Sequence, residues 1–315
     1  MRLETLAVIA GAEPDAQTGA VAPPIHMATT FRHAPDGERI DGYEYQREGN
    51  PTQDRLESAL AALEGGACAL AMASGMAAIS VLLESLPSGS RLLIPEDCYT
   101  GLRILAREFL PARGVEAIAV DMGDLAAVRS ACGDGVAMIW TETPSNPRMN
   151  ICDISALAEI ARAAGGLLAC DNTFATPVLQ QPLTLGADVV MHSTTKYFGG
   201  HSDVLGGALV FARADELYER VAHRRHITGG VLSPFSAWLT LRGCRSLPAR
   251  MTLHCANARR VAIFFANHPA VEQVNYPGLE SHPGHTIAAK QMRDFGGMLS
   301  VQLRGGRDAA LVMAG

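Results

Sequence analysis

Lysine is scarce in this sequence of 315 residues: only Lys196 and Lys290 are lysines, among 26 lysines and arginines in all. Apolar runs long enough to cross a membrane are missing, so we expect no membrane-spanning helix and no membrane partner. The chain also has no excess of basic residues, since its formal net charge is −6. This charge argues against nucleic acid and acidic membrane surfaces as partners.

The seven cysteines include no C-x-x-C pair and have no histidine at zinc-finger spacing. A dispersed, odd-numbered set is typical of reduced thiols, so we expect a cytoplasmic protein. The N-terminal apolar stretch is short and interrupted by Glu4, which makes it a poor secretion signal. His282 and His285 look like a metal pair, but no carboxylate lies at a useful spacing. We therefore interpret them as part of a solvated loop and expect no metal site.

Strand patterns alternate with helical patterns after residue 55. This alternation implies right-handed crossovers and predicts an α/β fold with a mostly parallel, doubly wound sheet. The segment 203–212 follows its predecessor too closely for a helical crossover, so we predict that it lies antiparallel to its neighbour. The other predicted strands of this sheet are 67–73, 90–95, 116–121, 136–141, 166–171 and 187–192.

Three regions of the chain differ in pattern. Residues 1–55 are interrupted by proline and glycine, which predicts an extended N-terminal arm. Residues 56–242 predict the larger domain. Residues 243–315 predict a smaller α+β domain with strand patterns at 271–277 and 296–303, followed by barely two turns of helix.

Polar side chains recur directly after the predicted strands. Ligands of open parallel sheets bind at this carboxyl edge, so we expect one site there. The segments that follow the strands are Ser74-Gly75-Met76, Asp97-Cys98-Tyr99, ETPSNP (142–147), Asp171-Asn172-Thr173 and STTK (193–196).

Each of these groups also has a purely structural interpretation. Ser74 is a suitable N-cap for the apolar helix that follows, although the free N–H groups of the same helix could bind a phosphate. Asp171 could cap a turn through Thr173, and Ser193 could belong to an ST turn. Tyr99 could be an aromatic residue at the edge of the core. No G-x-G-x-x-G segment follows the first strand, so a nicotinamide site has little support.

Lys196 decides between these interpretations. A lysine, unlike an arginine, can lose its proton at accessible pH and attack a carbonyl group. Pyridoxal phosphate requires such an amine, a carboxylate for its ring nitrogen and donors for its phosphate. Asp171 supplies the carboxylate, and Tyr99 is available to stack on the ring. The predicted phosphate donors are the amides of Gly75 and Met76 and the hydroxyls of Ser193 and Thr195.

Seven segments, in order over nearly the whole chain, resemble the trans-sulfuration (Cys/Met metabolism) family of pyridoxal-phosphate enzymes. They are EYQREGNPT (44–52), ASGMAA (73–78), DCYTG (97–101), ETPSNP (142–147), DNTFATP (171–177), HSTTKYFGGHSD (192–203) and LRGCRSLPARM (241–251). The resemblance implies the type I aminotransferase-like fold and small amino-acid substrates.

The same resemblance implies roles for the candidate residues. Lys196 would be the Schiff-base lysine, Asp171 the partner of the ring nitrogen and Tyr99 the stacking residue. Asn146 would lie near the cofactor ring and the substrate. The residues implied at the phosphate are Gly75, Met76, Ser193 and Thr195.

The resemblance also implies a homo-oligomer, a tetramer made of two active dimers. Tyr45 and Arg47 would reach the phosphate of the neighbouring subunit's cofactor. Such a contact would explain an arm with little core of its own.

Departures from the family pattern narrow the predicted reaction. Methionine γ-lyases place a reactive cysteine two residues after the stacking tyrosine, whereas Gly101 stands here. Several segments resemble bacterial γ-synthases and γ-lyases. We expect the γ-synthase reaction, in which cysteine replaces the succinyl or acetyl group of an activated homoserine. The γ-lyase reaction, which cleaves cystathionine to cysteine, 2-oxobutanoate and ammonia, is the alternative, and a pyridoxal-phosphate-binding protein without turnover is a further one.

The C-terminal segment departs from the family pattern as well. Full-length relatives carry an SLGG-x-ESL segment and, beyond it, an arginine that binds the substrate α-carboxylate. Arg304 and Arg307 match neither motif. We therefore expect an incomplete C-terminal domain, in a chain that keeps its cofactor residues but lacks the carboxylate-binding arginine.

Overall fold

The computed structural model of the protein describes all 315 residues. Its largest element is a sheet of seven strands, β1 (Cys68–Met72), β2 (Arg91–Pro95), β3 (Glu116–Val120), β4 (Met138–Glu142), β5 (Leu167–Asp171), β6 (Val189–His192) and β7 (Gly207–Phe211). The strand order across the sheet is β1-β7-β6-β5-β4-β2-β3. β7 runs antiparallel to both of its neighbours, and all other pairs are parallel. The predicted mostly parallel sheet is confirmed, and so is the antiparallel position of the segment 203–212.

Helices precede, connect and follow these strands. α1 (Leu3–Ile9) and α2 (Pro51–Glu64) precede the first strand. The connecting helices are α3 (Gly75–Leu83), α4 (Thr100–Ile104), α5 (Leu125–Cys132), α6 (Ile154–Ala163) and α7 (Thr176–Leu179). The sheet is followed by α8 (Glu216–Thr228), α9 (Pro234–Cys244), α10 (Leu247–Ala266), α11 (His285–Gln291) and α12 (Gly306–Ala314). A π-helical turn continues α4 over Leu105–Phe109, and 3₁₀ turns cover Pro111–Arg113 and Pro182–Leu185.

Apart from its edge strand β3, the larger sheet is buried on both faces. Successive residues of a strand point to opposite sides, and both sets are buried. In β1, Leu70 and Met72 belong to a core cluster with α3, whereas Ala69 and Ala71 belong to a second cluster with α2. Burial on both faces explains why these strands are continuous apolar runs in the sequence rather than alternating ones.

The turn between β1 and α3 brings a helix N-terminus to the carboxyl edge of the sheet. Ser74 Oγ accepts the N–H of Ala77 at 3.0 Å, so Ser74 is an N-cap. Gly75 lies so close to the segment after β6 that a Cβ atom there would be 3.0 Å from Cβ of Ser193. A side chain at position 75 would therefore require the neighbouring side chains of Ser193 and Met191 to shift.

The first 50 residues contain little regular structure. Beyond α1, Thr30 forms an isolated β-bridge with Tyr45. α1 packs against the core through Ala7, and the rest of the segment is attached by hydrogen bonds such as the one that Trp238 Nε1 donates to Pro23 O at 3.1 Å. Met27 remains exposed. Such a segment has little core of its own.

A second, antiparallel sheet consists of β8 (Val271–Asn275) and β9 (Ser300–Leu303). The core beside it is small and contains Ala258, Ala262 and Tyr276. α10 contributes to both cores, because its first turns pack under the larger sheet. α11 joins the two parts as well, because Ala288 packs in the core under the larger sheet.

No helix of the structure is both long and apolar enough to span a membrane. All seven cysteines are free thiols, of which six are buried and Cys68 is partly exposed. No group of three or more His, Cys, Asp or Glu side chains is arranged to hold a metal ion.

Candidate active site

A cavity of about 270 Å³ opens at the carboxyl edge of the larger sheet. We call it the inner cavity. Residues from the N-terminus of α3, from the ends of β4, β5 and β6, and from the turn after β6 line it. The structure brings together eight of the ten predicted site residues: Gly75, Met76, Tyr99, Asn146, Asp171, Ser193, Thr195 and Lys196. Tyr45 and Arg47 do not line it.

Lys196 lies in the turn that follows β6 and lines the inner cavity. Its main chain is held by two hydrogen bonds: its N–H donates to Ser193 O at 3.1 Å, and its carbonyl accepts the N–H of Gly200 at 2.8 Å. Its Nζ atom forms no hydrogen bond or ion pair within the chain. Lys290 differs, because its Nζ lies 3.6 Å from Asp153 Oδ2 on the surface. Only one of the two lysines is therefore free to react inside a cavity.

The N-terminus of α3 and the Ser193 hydroxyl form one end of the inner cavity. Free N–H groups and the positive end of the helix dipole favour an anion at such a position. Ser193 Oγ has no hydrogen-bond partner within the chain, which leaves it available to a ligand. Thr195 Oγ1 instead donates to Gly206 O and accepts the N–H of Gly206, both at 3.1 Å. These bonds tie the turn after β6 to the segment before β7, so Thr195 also has a structural role.

Asp171 is the last residue of β5. Its Oδ1 accepts the N–H of Thr173 at 2.9 Å, so it does cap the following turn. Its second oxygen forms no hydrogen bond within the chain. Burial raises the pKa of Asp171 above its ordinary value, because the charged form loses solvation. A cation beside this oxygen would stabilise the charge again, and a protonated ring nitrogen is such a cation.

Tyr99 and Asn146 lie at the mouth of the inner cavity. The Tyr99 side chain is half exposed. A Cβ atom at Gly101 would lie 2.6 Å from Cε1 of Tyr99 and 2.6 Å from Sδ of Met76. Glycine at position 101 thus leaves room for the Tyr99 ring, and a cysteine there would require the ring to move.

Glu142 is a lining residue to which sequence reasoning assigned no role. It ends β4 and lies directly beside Asp171 in the register of the sheet. Burial and the charge of Asp171 raise the pKa of Glu142 to about 8. Its position in the sequence could have identified it, because Glu142 is the last residue of a strand at the same edge as the other site residues.

A larger, open cavity of about 970 Å³ adjoins the inner cavity. We call it the outer cleft. Its charged lining residues are Glu96, Asp97, Arg103, Asp121, Glu142 and Arg148. A charged, open cleft of this size can admit polar amino acids to the inner cavity.

The segment SHPGH at the rim of the outer cleft is not a solvated loop throughout, and that interpretation is wrong for His282. This side chain is 7% exposed, and its Nδ1 accepts the N–H of Gly284 at 3.0 Å. Burial lowers the pKa of His282, because the protonated ring loses solvation. His285 Nδ1 lies 2.8 Å from Pro277 O, so both rings are used to fold the loop.

A buried hydrogen-bond network supports the end of β5 from behind. His192 Nε2 bonds to Glu64 Oε1 at 2.6 Å, and Asn172 Nδ2 donates to the same oxygen at 2.9 Å. The three residues are fully buried. Glu64 thus fixes the position of Asn172 and, with it, that of the neighbouring Asp171. Sequence reasoning missed Glu64 and His192, which are 128 positions apart, because no local pattern shows that they meet.

Tyr45 and Arg47 lie together outside the inner cavity. The guanidinium carbon of Arg47 is 5.3 Å from the centre of the Tyr45 ring. Arg47 Nη1 donates to the carbonyl of His226 at 3.0 Å and lies 3.1 Å from His226 Nε2. His226 is in the last turn of α8, where carbonyl groups favour a cation. Arg47 is thus oriented by its own chain.

The polar groups of the inner cavity match those that pyridoxal phosphate requires. It offers a free amine, a buried carboxylate with an unused oxygen, and an anion cradle in which a hydroxyl has no partner. Residues that could hold the cofactor are therefore Lys196, Asp171, Ser193 and the first residues of α3.

Comparisons with known proteins indicate the same cofactor. The family model described as Cys/Met metabolism PLP-dependent enzyme matches residues 4–314. The chain is 50% identical over 307 residues to a cystathionine γ-synthase of Mycobacterium tuberculosis, a match that covers 97% of this chain and 79% of the relative. It is 43% identical over 303 residues to a cystathionine γ-lyase of Bacillus subtilis, covering 96% and 79%. It is also similar to the crystal structure of a cystathionine γ-synthase from Xanthomonas oryzae in complex with cystathionine, with a TM-score of 0.95, 42% identity, and coverage of 99% and 80%.

Proposed function

Because the chain belongs to the Cys/Met metabolism family of PLP-dependent enzymes, we propose that it joins an activated homoserine to cysteine by γ-replacement and forms cystathionine. The activated homoserine would carry an O-succinyl or O-acetyl group. The observation that carries the proposal is the 50% identity, over 97% of this chain, to a relative named cystathionine γ-synthase.

Pyridoxal phosphate, when bound, withdraws electrons from the reacting carbon atoms of an amino acid joined to it. We assign two tasks to Lys196 Nζ: to bind the cofactor, and then to take up the proton of the substrate α carbon. Its lack of a protein partner supports this assignment. Asp171 would keep the ring nitrogen protonated, which its unused and desolvated oxygen supports.

The remaining site residues would bind and orient. The amides of Gly75 and Met76 and the hydroxyl of Ser193 would hold the phosphate, and Thr195 would join them by exchanging its bonds to Gly206. Tyr99 would stack on the ring at the mouth of the inner cavity. Asn146 would contact the ring and the substrate, since it lines both the inner cavity and the outer cleft.

The γ-lyase reaction is a second candidate. The 43% identity to a relative named cystathionine γ-lyase favours it. Both reactions begin with removal of the α proton and continue at the γ carbon, so the same lysine and aspartate would serve either one.

A turnover assay tests the proposed function. Purified protein would be incubated with cysteine and O-succinylhomoserine or O-acetylhomoserine, and separately with cystathionine alone. We expect cystathionine to form faster in the first reaction than 2-oxobutanoate forms in the second. The opposite ranking would favour the γ-lyase, and no turnover of any substrate by cofactor-loaded protein would contradict both.

We also propose a homo-oligomer in which Tyr45 and Arg47 reach the cofactor phosphate of the neighbouring subunit. Neither residue lines the inner cavity of its own chain, which supports this proposal. Replacing Arg47 by alanine should then weaken cofactor retention markedly, because a charge-assisted contact with the phosphate is lost. The dissociation constant of pyridoxal phosphate, measured by absorption, checks the effect.

Mixing subunits shows whether this contact crosses a subunit boundary. Arg47→Ala subunits mixed with Lys196→Ala subunits should regain partial activity, because half of the sites in a mixed dimer contain both native residues. Subunit exchange would be verified with differently tagged chains. No recovery despite proven exchange would mean that each site is built within one chain.

We propose the three predicted regions as the domain organisation: an arm (1–55), a cofactor-binding domain (56–242) and a smaller domain (243–315). The scarcity of regular structure in the arm and the separate two-stranded sheet support this division. We further propose a cytoplasmic location, which the seven free thiols support.

A further inference from the structure

The inner cavity and the outer cleft meet at Glu142. Three residues line both of them: Tyr99, Glu142 and Asn146. The Glu142 carboxylate binds the other two, because Oε2 accepts the main-chain N–H of Tyr99 at 2.8 Å and Oε1 accepts that of Asn146 at 3.0 Å. One side chain thus connects the two segments that border the passage between the cavities.

A second carboxylate connects the same segments farther along. Asp97 Oδ2 accepts hydrogen bonds from Ser145 Oγ at 2.5 Å and from Asn150 Nδ2 at 3.1 Å. The two segments would therefore remain attached to each other without Glu142. What Glu142 adds is the placement of Tyr99 and Asn146 themselves.

The position of Glu142 is electrostatically unfavourable. Its carboxyl group faces Asp171 on β5 and Asp97 after β2, and it lies near the thiol of Cys98. Burial and the charge of Asp171 raise the pKa of Glu142 to about 8. Buried carboxyl groups with neighbours of like charge are typical of functional sites.

We propose that Glu142 is a positioning residue of the reaction: its two oxygens hold the main chains of Tyr99 and Asn146 on either side of the passage to the inner cavity. The side chain length and both acceptors are needed for this. The carboxylate of aspartate is the same, but its side chain is one methylene shorter and cannot reach both N–H groups. Glutamine has one acceptor and turns an amide donor towards the other N–H. The proposal rests on the proposed function, because it requires the inner cavity to be the cofactor site.

The test compares Glu142→Gln and Glu142→Asp with the wild type and with Glu159→Gln. Glu159 is an exposed residue of α6 without a side-chain hydrogen bond, so the same substitution there should change nothing. We expect kcat to fall about tenfold to a hundredfold in the Glu142 variants, since a small misplacement of positioning groups has effects of this size. The cofactor dissociation constant should change less, because Lys196 and the phosphate cradle are intact.

Two measurements on cofactor-free protein separate positioning from general loss of structure. Hydrogen–deuterium exchange should become faster in the peptides around Tyr99 and Asn146 of the variants, and remain unchanged elsewhere. The free energy of unfolding should fall as the pH rises, because the folded protein binds a proton at Glu142 more tightly than the unfolded chain does. The wild type should therefore lose stability relative to Glu142→Gln as the pH rises from about 5 to about 8.

The outcomes distinguish this proposal from the proposed function. Wild-type protein that binds no pyridoxal phosphate would contradict the proposed function. A wild type with turnover, together with a Glu142→Gln variant whose kcat stays within about twofold, would overturn the role of Glu142 alone. A general loss of exchange protection and of stability at every pH would also overturn it, in favour of a structural role.

Discussion

Replacing Lys196 by arginine should abolish turnover, although the positive charge at this position is kept. A guanidinium group stays protonated at accessible pH, so it can neither form the covalent link to the cofactor aldehyde nor accept a proton from the substrate. The purified wild type should be yellow, and borohydride reduction should remove the visible absorption band. The reduced cofactor should then remain attached, as a covalent label, to the peptide that contains Lys196. Turnover and the visible absorption spectrum of the variant are the measurements.

The second lysine of the chain provides a matched control. Lys290 is 73% exposed in its side chain and pairs only with Asp153 at 3.6 Å. Exposed pairs of this kind contribute little, so Lys290→Arg should retain both the visible band and the activity. A label on Lys290, or a colourless wild type that takes up no cofactor, would contradict the assignment of Lys196.

Replacing Asp171 by asparagine should reduce kcat/KM by about a thousandfold, which corresponds to about 4 kcal/mol. The amide oxygen can still accept the N–H of Thr173, so the turn after β5 should stay folded. The charge that favours a protonated ring nitrogen is lost, and with it the electron-withdrawing power of the cofactor. Kinetics and circular dichroism on the same preparation separate loss of chemistry from loss of folding.

Asp134→Asn is the matched control for this substitution. Asp134 is exposed in the loop before β4 and has no side-chain hydrogen bond, so the same loss of charge should leave activity unchanged. If Asp171→Asn keeps wild-type kcat/KM, Asp171 cannot be the partner of the ring nitrogen.

The residues of the inner cavity could be predicted because their positions follow from local patterns. Asp171 ends one apolar strand and Lys196 lies in the turn after the next one, and strands that alternate with helices must be mostly parallel. Parallel strands bring their carboxyl ends to one edge, so side chains far apart in the chain meet there. The antiparallel β7 was predictable for a similar reason, since the short connection before it leaves no room for a crossover helix.

Other features depend on distances that the sequence does not contain. Glu142 acquires its role because the segments of Tyr99 and Asn146 both approach it, and its raised pKa depends on Asp171 in the next strand. His282 looked solvated in its glycine- and proline-containing segment, yet the rim of the outer cleft buries it.

The sequence by itself determined the order of the elements, the edge at which the site lies and the amine that can react there, because these depend on periodicity and on the chemistry of single residues. The tertiary structure decided which groups are bound and which are free. Thr195 proved to be held by Gly206, whereas Ser193 Oγ and Lys196 Nζ remained without partners. The physical reason is that hydrogen bonding and desolvation act over a few ångströms, and only the packing of distant segments sets those distances.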